Sequence, residues 1–430
     1  EEKKLKQLNN WNLIQRLHSE IDAMALRTAV KNDGKKNKHV NIKGSDANRA
    51  GTKESLKCAL YIVEGKSAAG YPRNRINLLK GGKNYNGLAI LKGKLMNITN
   101  ANPIQYANNQ VFGYVKKMIG LKEGIDYNAK INIQTLRYGF LILNVDADDD
   151  GMHILAHFLN FLREKFPGIL KQNMVGYLRT PVIKLFKSGK IAHRFFTVVD
   201  FNNWKKENSI KGFEIRYYKG LGTSEPGDIE DDLENAPTVF CIYDEKSNAG
   251  FDLAFHKSNA DRRKEWIAKW RDVTQVADVV SVDIKDIMKG ENKLEVAQDI
   301  SQLLNRELIN YSVTSLFRAI PSEYDHLKVS QRKALYAALV YFGYNPKAKG
   351  KRIKVGRLVY KAADMVQYHH GEKSLIDTFI KMAQDFTGTN NMGYFYKGGS
   401  FGTREDGGDE AADARYSETH LAWWIPLVYQ

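Results

Sequence analysis

The stretch Phe140-Leu-Ile-Leu-Asn-Val-Asp146-Ala-Asp-Asp-Asp150-Gly151 decides the fold class. Residues 140–145 form a short, nearly unbroken apolar run, which predicts a buried strand. Directly after the acidic turn, Ile154, Leu155, Phe158, Leu159 and Leu162 recur at helical spacing and mark one apolar face. Strand, acidic turn and helix make the βα unit of a doubly wound sheet, which places ligand groups at the carboxyl ends of its strands. Alternate residues of an extended segment share a face, so Asp146, Asp148 and Asp150 are expected to converge while Ala147 and Asp149 point elsewhere. Like charges at close range call for a cation, and an oxygen-only donor set suits Mg²⁺ or Mn²⁺. The alternative is a solvated acidic turn capping a helix that starts at Gly151, since Asp favours helix N-termini.

Working outward, residues 58–63 predict a second buried strand, ending at Glu64-Gly65, and Glu64 can complete the acidic set. Further strands are expected at 182–186, 195–199 and 238–243, and a charged helix around Arg262-Arg-Lys-Glu-Trp266. From about residue 295 helical patterns dominate, at 296–311, 331–342, 358–368 and 374–386. Short helices followed by a Gly-rich stretch suit a winged helix-turn-helix. Residues 1–30 read as helix, with Leu5, Leu8, Trp11 and Leu13-Ile14 roughly periodic. Residues 31–53, rich in Lys, Asn and Gly, are either a plain surface loop or a basic loop that touches DNA. The expected division is therefore 1–54, 55–290 and 291–430.

The 430 residues suggest two to four domains, and 43% hydrophobic content is enough for packed cores. A net charge of +16 favours a polyanionic partner, nucleic acid or an anionic membrane surface. Two cysteines, Cys58 and Cys241, allow neither a disulfide framework nor a zinc site, and both fall in apolar runs that predict buried thiols. The opening Glu-Glu-Lys-Lys-Leu-Lys does not read as a signal peptide, and no apolar run approaches 18 residues. The chain opens in a charged helical pattern without Met and closes on an apolar stretch, so a longer protein is expected.

Three more constellations carry chemistry. Arg415-Tyr416 follows Ser400-Phe-Gly-Thr-Arg404. A Tyr beside an Arg is usually structural, but a Tyr activated by nearby cations can attack a phosphodiester. Arg415, Arg404 and Arg332 are available for that and for stabilising the phosphorane-like charge. Tyr368-His-His370-Gly-Glu is either an ordinary helix end or a His that bonds a phosphate or Tyr oxygen. Tyr217-Tyr-Lys-Gly-Leu-Gly-Thr223 lacks the Walker spacing and is a turn beside DNA or a packing turn.

Taken in order, these stretches resemble type IIA DNA topoisomerases of the eukaryotic kind. The resemblance rests also on Tyr61-Ile-Val-Glu-Gly-Lys-Ser-Ala68, Leu91-Lys-Gly-Lys-Leu-Met-Asn97, Thr180-Pro-Val-Ile-Lys184 and Gln331-Arg-Lys333. It implies a doubly wound α/β Toprim domain followed by a winged helix-turn-helix domain. It makes Tyr416 the residue linked to a DNA 5′ end, Arg415 its activator, and Arg332 and His370 supports of the transition state. It places Mg²⁺, or Mn²⁺ or Ca²⁺ in its stead, on Glu64, Asp146, Asp148 and Asp150. Lys92 and Lys94 would contact DNA, as would Lys66, Lys328, Lys333 and Arg404. It also implies double-stranded DNA as substrate, no membrane, and a homodimer in which each subunit's carboxylates serve the other's Tyr416. ATP would drive the full-length enzyme from a site outside this segment. The location would be intracellular, in the nucleus or, if the protein is viral, in a cytoplasmic viral factory or the virion. Departures are Lys66 for an expected Asp, Asp149 for a His, and His326 and Val329-Ser330 for Gly and Pro-Gly; they point to a large DNA virus. The rivals are a Toprim nuclease or primase without a covalent tyrosine, and a non-catalytic DNA-binding scaffold.

Overall fold

The computed structural model describes residues 11–31, 33, 44–218, 220–270, 295–343, 352–366, 368 and 371–429. Contacts divide the chain into two units at Ser312/Val313. The expected boundary at 290/291 lies outside the described residues.

The first unit is built on a seven-stranded sheet. In chain order the strands of this unit are β1 (Gly44–Ser45), β2 (Ala59–Glu64), β3 (Asn86–Leu91), β4 (Phe140–Leu143) and β5 (Val175–Leu178), then β6 (Ile183–Lys187), β7 (Lys190–Phe195), β8 (Glu214–Tyr217), β9 (Thr238–Ile242) and β10 (Glu295–Asp299). The large sheet runs β1-β3-β2-β4-β5-β9-β10, with β3, β2, β4 and β5 parallel. Parallel strands covered on both faces need apolar side chains on both, which is why they read as unbroken apolar runs. Leu60, Ile62, Leu141 and Leu143 enter one core, together with Ile154, Leu155, Phe158, Leu159 and Leu162 of the helix Asp149–Lys165. Tyr61, Val63 and Ile142 enter the other, with Ile76 of the helix Gly70–Leu78. Cys58 and Cys241 are buried, and burial pushes their thiols up to about 11 and about 12.

Two expectations are corrected. Residues 195–199 are not a strand: Thr197 accepts a bond from the Asp200 N–H at 3.0 Å and caps the helix Val198–Glu207. The strand there is β7, joined to β6 through Ser188-Gly189, both at positive φ as a tight hairpin requires. Residues 296–311 are not helical throughout: Glu295–Asp299 is β10, parallel to β9, and helix starts at Ile300. The open edge of β9 outweighs the local helical spacing. The expected N-terminal helix is present as Asn12–Lys31 and docks through Ala25 and Ala29; Trp11 and Leu13 are 59% and 64% exposed, and Leu5 and Leu8 lie outside the described residues.

In the second unit three helices, Val329–Phe342, Val355–Met365 and Glu372–Ala383, enclose Leu335, Leu339, Leu358, Leu375 and Phe379. β11 (Ile353–Lys354) and β12 (Glu418–Thr419) pair antiparallel as a short ribbon. Among the described residues no helix is long and apolar enough to cross a membrane.

Candidate active site

In the first unit β2 is flanked by β3 on one side and β4 on the other, so chain order reverses at β2 and the strands' carboxyl ends open a crevice. Glu64 ends β2, and Asp146 follows β4. Glu64, Asp146, Asp148 and Asp150 line one cavity of about 60 Å³ there, together with Asn144. Burial raises the Glu64 carboxyl above its usual range; Lys94 opposes this, and the three aspartates add to it. Burial also raises Asp148, against the pull of the Gly151 N–H. Carboxylates that resist sharing negative charge are what a bound cation relieves.

The convergence is not that of a simple extended segment. Asp148 caps the helix that begins at Asp149, accepting from the Gly151 N–H at 2.8 Å, while it also lines the cavity. Asp150 therefore sits in the first helical turn, where Lys94 Nζ lies 2.6 Å from its Oδ1. Lys94, expected on DNA, stands in the acidic cluster, its Nζ 5.6 Å from the Tyr311 ring centre. Asp146 Oδ1 accepts from the Leu221 N–H at 2.8 Å. A Cβ on Gly220 would lie 2.9 Å from Asp146 Oδ2, so a larger residue there would force the carboxylate to shift. Gly220 and Leu221 thus pack against the acidic strand end.

A buried charge cluster holds that turn. The Tyr218 hydroxyl donates to Asp228 at 2.7 Å. Lys184, fully buried, reaches Asp232 at 2.8 Å, Asp231 at 3.3 Å and Asp228 at 3.4 Å. Tyr71, on the helix that follows Glu64, donates to Asp232 at 2.8 Å. The cluster ties the elements carrying Glu64 and Asp146 together, and sequence reasoning had not singled out its aspartates. The only signal was Lys184, a cation amid apolar residues.

The donor set fits a hard divalent cation: it is all oxygen, and backbone N–H groups hold Asp146 and Asp148 through Oδ1. Among the described residues no three His, Cys, Asp or Glu side chains form a ready-made coordination cluster. Uncompensated carboxylates take protein donors instead.

In the second unit Arg415 and Tyr416 form an exposed tip between two buried anchors. Ala414 O accepts from the Gly356 N–H at 3.0 Å and Ser417 O from the Val355 N–H at 2.9 Å, both at the start of one helix. Tyr416 is 70% exposed. The Arg415 guanidinium lies 5.7 Å from its ring centre and bonds Asp413 through Nε at 3.1 Å. Buried Gln384 pins the Gly-rich loop before it, donating to Phe401 O at 2.7 Å and Gly408 O at 3.0 Å. Arg332 grips Asp325 through two bonds of 2.5 and 2.8 Å, which hold the Asp325 carboxyl down to about 2. Lys328 and Arg404 are exposed and Lys333 half-buried. His370 lies outside the described residues.

With this geometry in hand, comparisons with known proteins decide the family. Residues 59–178 match the Toprim domain, 178–316 the C-terminal associated domain of Toprim, and 318–429 the A-subunit of DNA gyrase/topoisomerase IV. The chain is 37% identical over 414 residues to a probable DNA topoisomerase 2 of Dictyostelium discoideum, covering 95% of this chain and 25% of that protein. It is 35% identical over 421 residues to DNA topoisomerase 2 of Saccharomyces cerevisiae, covering 95% and 28%. The chain belongs to the type II DNA topoisomerase family. It resembles the DNA-binding, cleavage and re-ligation domain of Plasmodium falciparum topoisomerase II, at TM-score 0.69 and 32% identity, over 90% of this chain and 50% of that one. It spans about a quarter of the length of the curated topoisomerases it matches.

Two departures from the topoisomerase pattern have visible settings. His326 adopts φ 55°, the left-handed region that favours glycine, next to the Asp325–Arg332 pair. His326→Gly is expected to stabilise the protein by roughly 0.5–1 kcal/mol, read as a higher urea midpoint, because relief of the strain exceeds glycine's entropic cost. An unchanged or lower midpoint contradicts this. Lys66 is exposed and does not line the cavity. Lys66→Asp is expected to lower duplex affinity while leaving the Mg²⁺ optimum nearly unchanged, by the loss of one phosphate contact. A several-fold lower Mg²⁺ requirement with unaltered DNA affinity would mean that Lys66 acts on the metal.

Proposed function

We propose that this segment is the DNA-cleaving core of a type IIA topoisomerase, which opens a duplex by a transient double-strand break and reseals it. The observation that carries the reading is the exposed Arg415-Tyr416 tip held between buried anchors, in a chain that also gathers four carboxylates at a sheet's switch point. The Tyr416 oxygen attacks the scissile phosphorus as its phenolic proton leaves. The bond from phosphorus to the 3′ oxygen breaks, and that oxygen departs as the 3′ hydroxyl. One phosphoester replaces another, so religation is the same step reversed and needs no outside energy. Arg415 and Arg332 stabilise the charge that builds on the phosphoryl oxygens, and Asp325 keeps Arg332 oriented. His370 belongs to the same set. Lys66, Lys92, Lys94, Lys328, Lys333 and Arg404 bind the DNA backbone, in keeping with the +16 charge. Glu64, Asp146, Asp148 and Asp150 would hold Mg²⁺, with Mn²⁺ or Ca²⁺ able to substitute, to supply Lewis-acid stabilisation at the leaving oxygen.

In the longer protein residues 1–54 would lead from an ATPase region, 55–290 form the Toprim domain with its insert, and 291–430 the breakage-rejoining domain. ATP would drive strand passage there. The enzyme works as a homodimer on double-stranded DNA, in which each subunit's carboxylates serve the other's tyrosine. It acts in the nucleus or in a viral factory; Lys66, Asp149 and His326 favour the virus.

The test is to cleave end-labelled duplex DNA with Mg²⁺ and stop the reaction with detergent. Expected are breaks with free 3′ hydroxyls and protein-blocked 5′ ends, absent in EDTA. Free 5′ phosphates would identify a hydrolytic Toprim nuclease instead.

A further inference from the structure

The cavity that the four carboxylates share has one other polar lining side chain, Asn144. Asn144 follows β4, is fully buried, and neither the nitrogen nor the oxygen of its carboxamide has a hydrogen-bond partner among the described residues. Its backbone is well placed, the N–H donating to Ile62 O at 2.8 Å, so the strand itself is not distorted to produce this. Leu143 and Val145, its neighbours in sequence, are buried in the apolar core, as residues at the end of a buried parallel strand should be. Burying an unmet amide is costly, and a Leu of similar size would avoid that cost. Orphaned buried polar groups in native proteins generally answer to an ion, a water or a catalytic role. This one opens on a cavity of about 60 Å³, room for more than one water at roughly 10–15 Å³ each, walled by Glu64, Asp146, Asp148 and Asp150.

We infer that Asn144 is a further member of the divalent-cation site, its carboxamide oxygen binding the hydrated cation that the four carboxylates hold. The inference rests on the metal reading of those carboxylates and adds to it a neutral donor. A hard cation keeps several waters, and each needs acceptors. Carboxylates alone would add further repulsion in the metal-free state, where burial and mutual charge already raise Glu64 and Asp148. A neutral amide offers an oxygen without that charge.

The test uses Mn²⁺ alone as probe, with binding followed by the loss of the free-ion electron paramagnetic resonance signal, and thermal unfolding measured with and without metal. Asn144→Leu is expected to weaken Mn²⁺ binding about 10–100-fold, the usual cost of removing an outer-sphere partner. The same variant is expected to unfold, without metal, at the wild-type temperature or above it. Asn144→Asp, which keeps the oxygen, is expected to retain Mn²⁺ binding. Mn²⁺ affinity within twofold of wild type in Asn144→Leu overturns the inference. So does a metal-free Asn144→Leu protein that is several degrees less stable or fails to fold, since the amide would then be structural. Asp146→Asn separates the two readings: if it leaves Mn²⁺ binding intact, the carboxylate site itself is wrong, whatever Asn144 does.

Discussion

Glu64→Ala and Asp146→Ala are each expected to lower DNA cleavage by roughly 10²–10³-fold, with duplex binding kept. Glu64 ends β2 and Asp146 follows β4, and both line the cavity. Removing either carboxylate takes a donor from the cation. It also relieves the repulsion that helps raise Glu64, so the losses should appear in chemistry and metal affinity rather than in folding. Asp146 has a second role, holding the Leu221 N–H at 2.8 Å. Asp146→Asn keeps an acceptor for that bond, so a cleavage defect in Asn as well as Ala points to the charge. Raising Mg²⁺ should restore part of the activity of either single variant. Wild-type cleavage rates in EDTA would contradict the metal assignment outright.

Tyr416→Phe is expected to abolish covalent adducts to the limit of detection while duplex affinity stays within about twofold, because only the nucleophilic oxygen is removed. The side chain is 70% exposed, and buried Ala414 and Ser417, not Tyr416, fix the tip, so the fold should not respond. Adducts that persist in Tyr416→Phe place the nucleophile elsewhere.

The strands around the acidic site were legible because a parallel strand buried on both faces leaves a nearly unbroken apolar run, as residues 58–63 and 140–145 do. The alternation that was expected to bring Asp150 beside Asp146 was legible only to Asp148. There the cap begins a helix, and helical rise rather than strand pleat carries Asp150 to the same cavity. Lys94 beside Asp150, the Gly220-Leu221 turn on Asp146 and the Lys184 cluster were not legible, since tertiary packing alone joins residues so far apart, 56 positions in the first pair, 75 in the second and 44 from Lys184 to Asp228. β10 was hidden because its partner β9 lies more than 50 residues upstream, and an open strand edge leaves no mark on the residues that will fill it. Tyr416 was legible only through the ordered resemblance, since a lone Arg-Tyr pair is ordinary; its exposure between buried anchors is a property of the fold.

The central claim is that Tyr416 carries the broken DNA strand. Cleavage trapped with detergent, followed by nuclease trimming and trypsin, leaves a nucleotide on one peptide, and cutting after Arg415 gives a peptide that begins at Tyr416. Mass spectrometry of that digest is predicted to find a nucleotide phosphate on Tyr416, only when a divalent cation was present. A nucleotide on any other residue, or cleaved DNA with no modified peptide, would contradict the account.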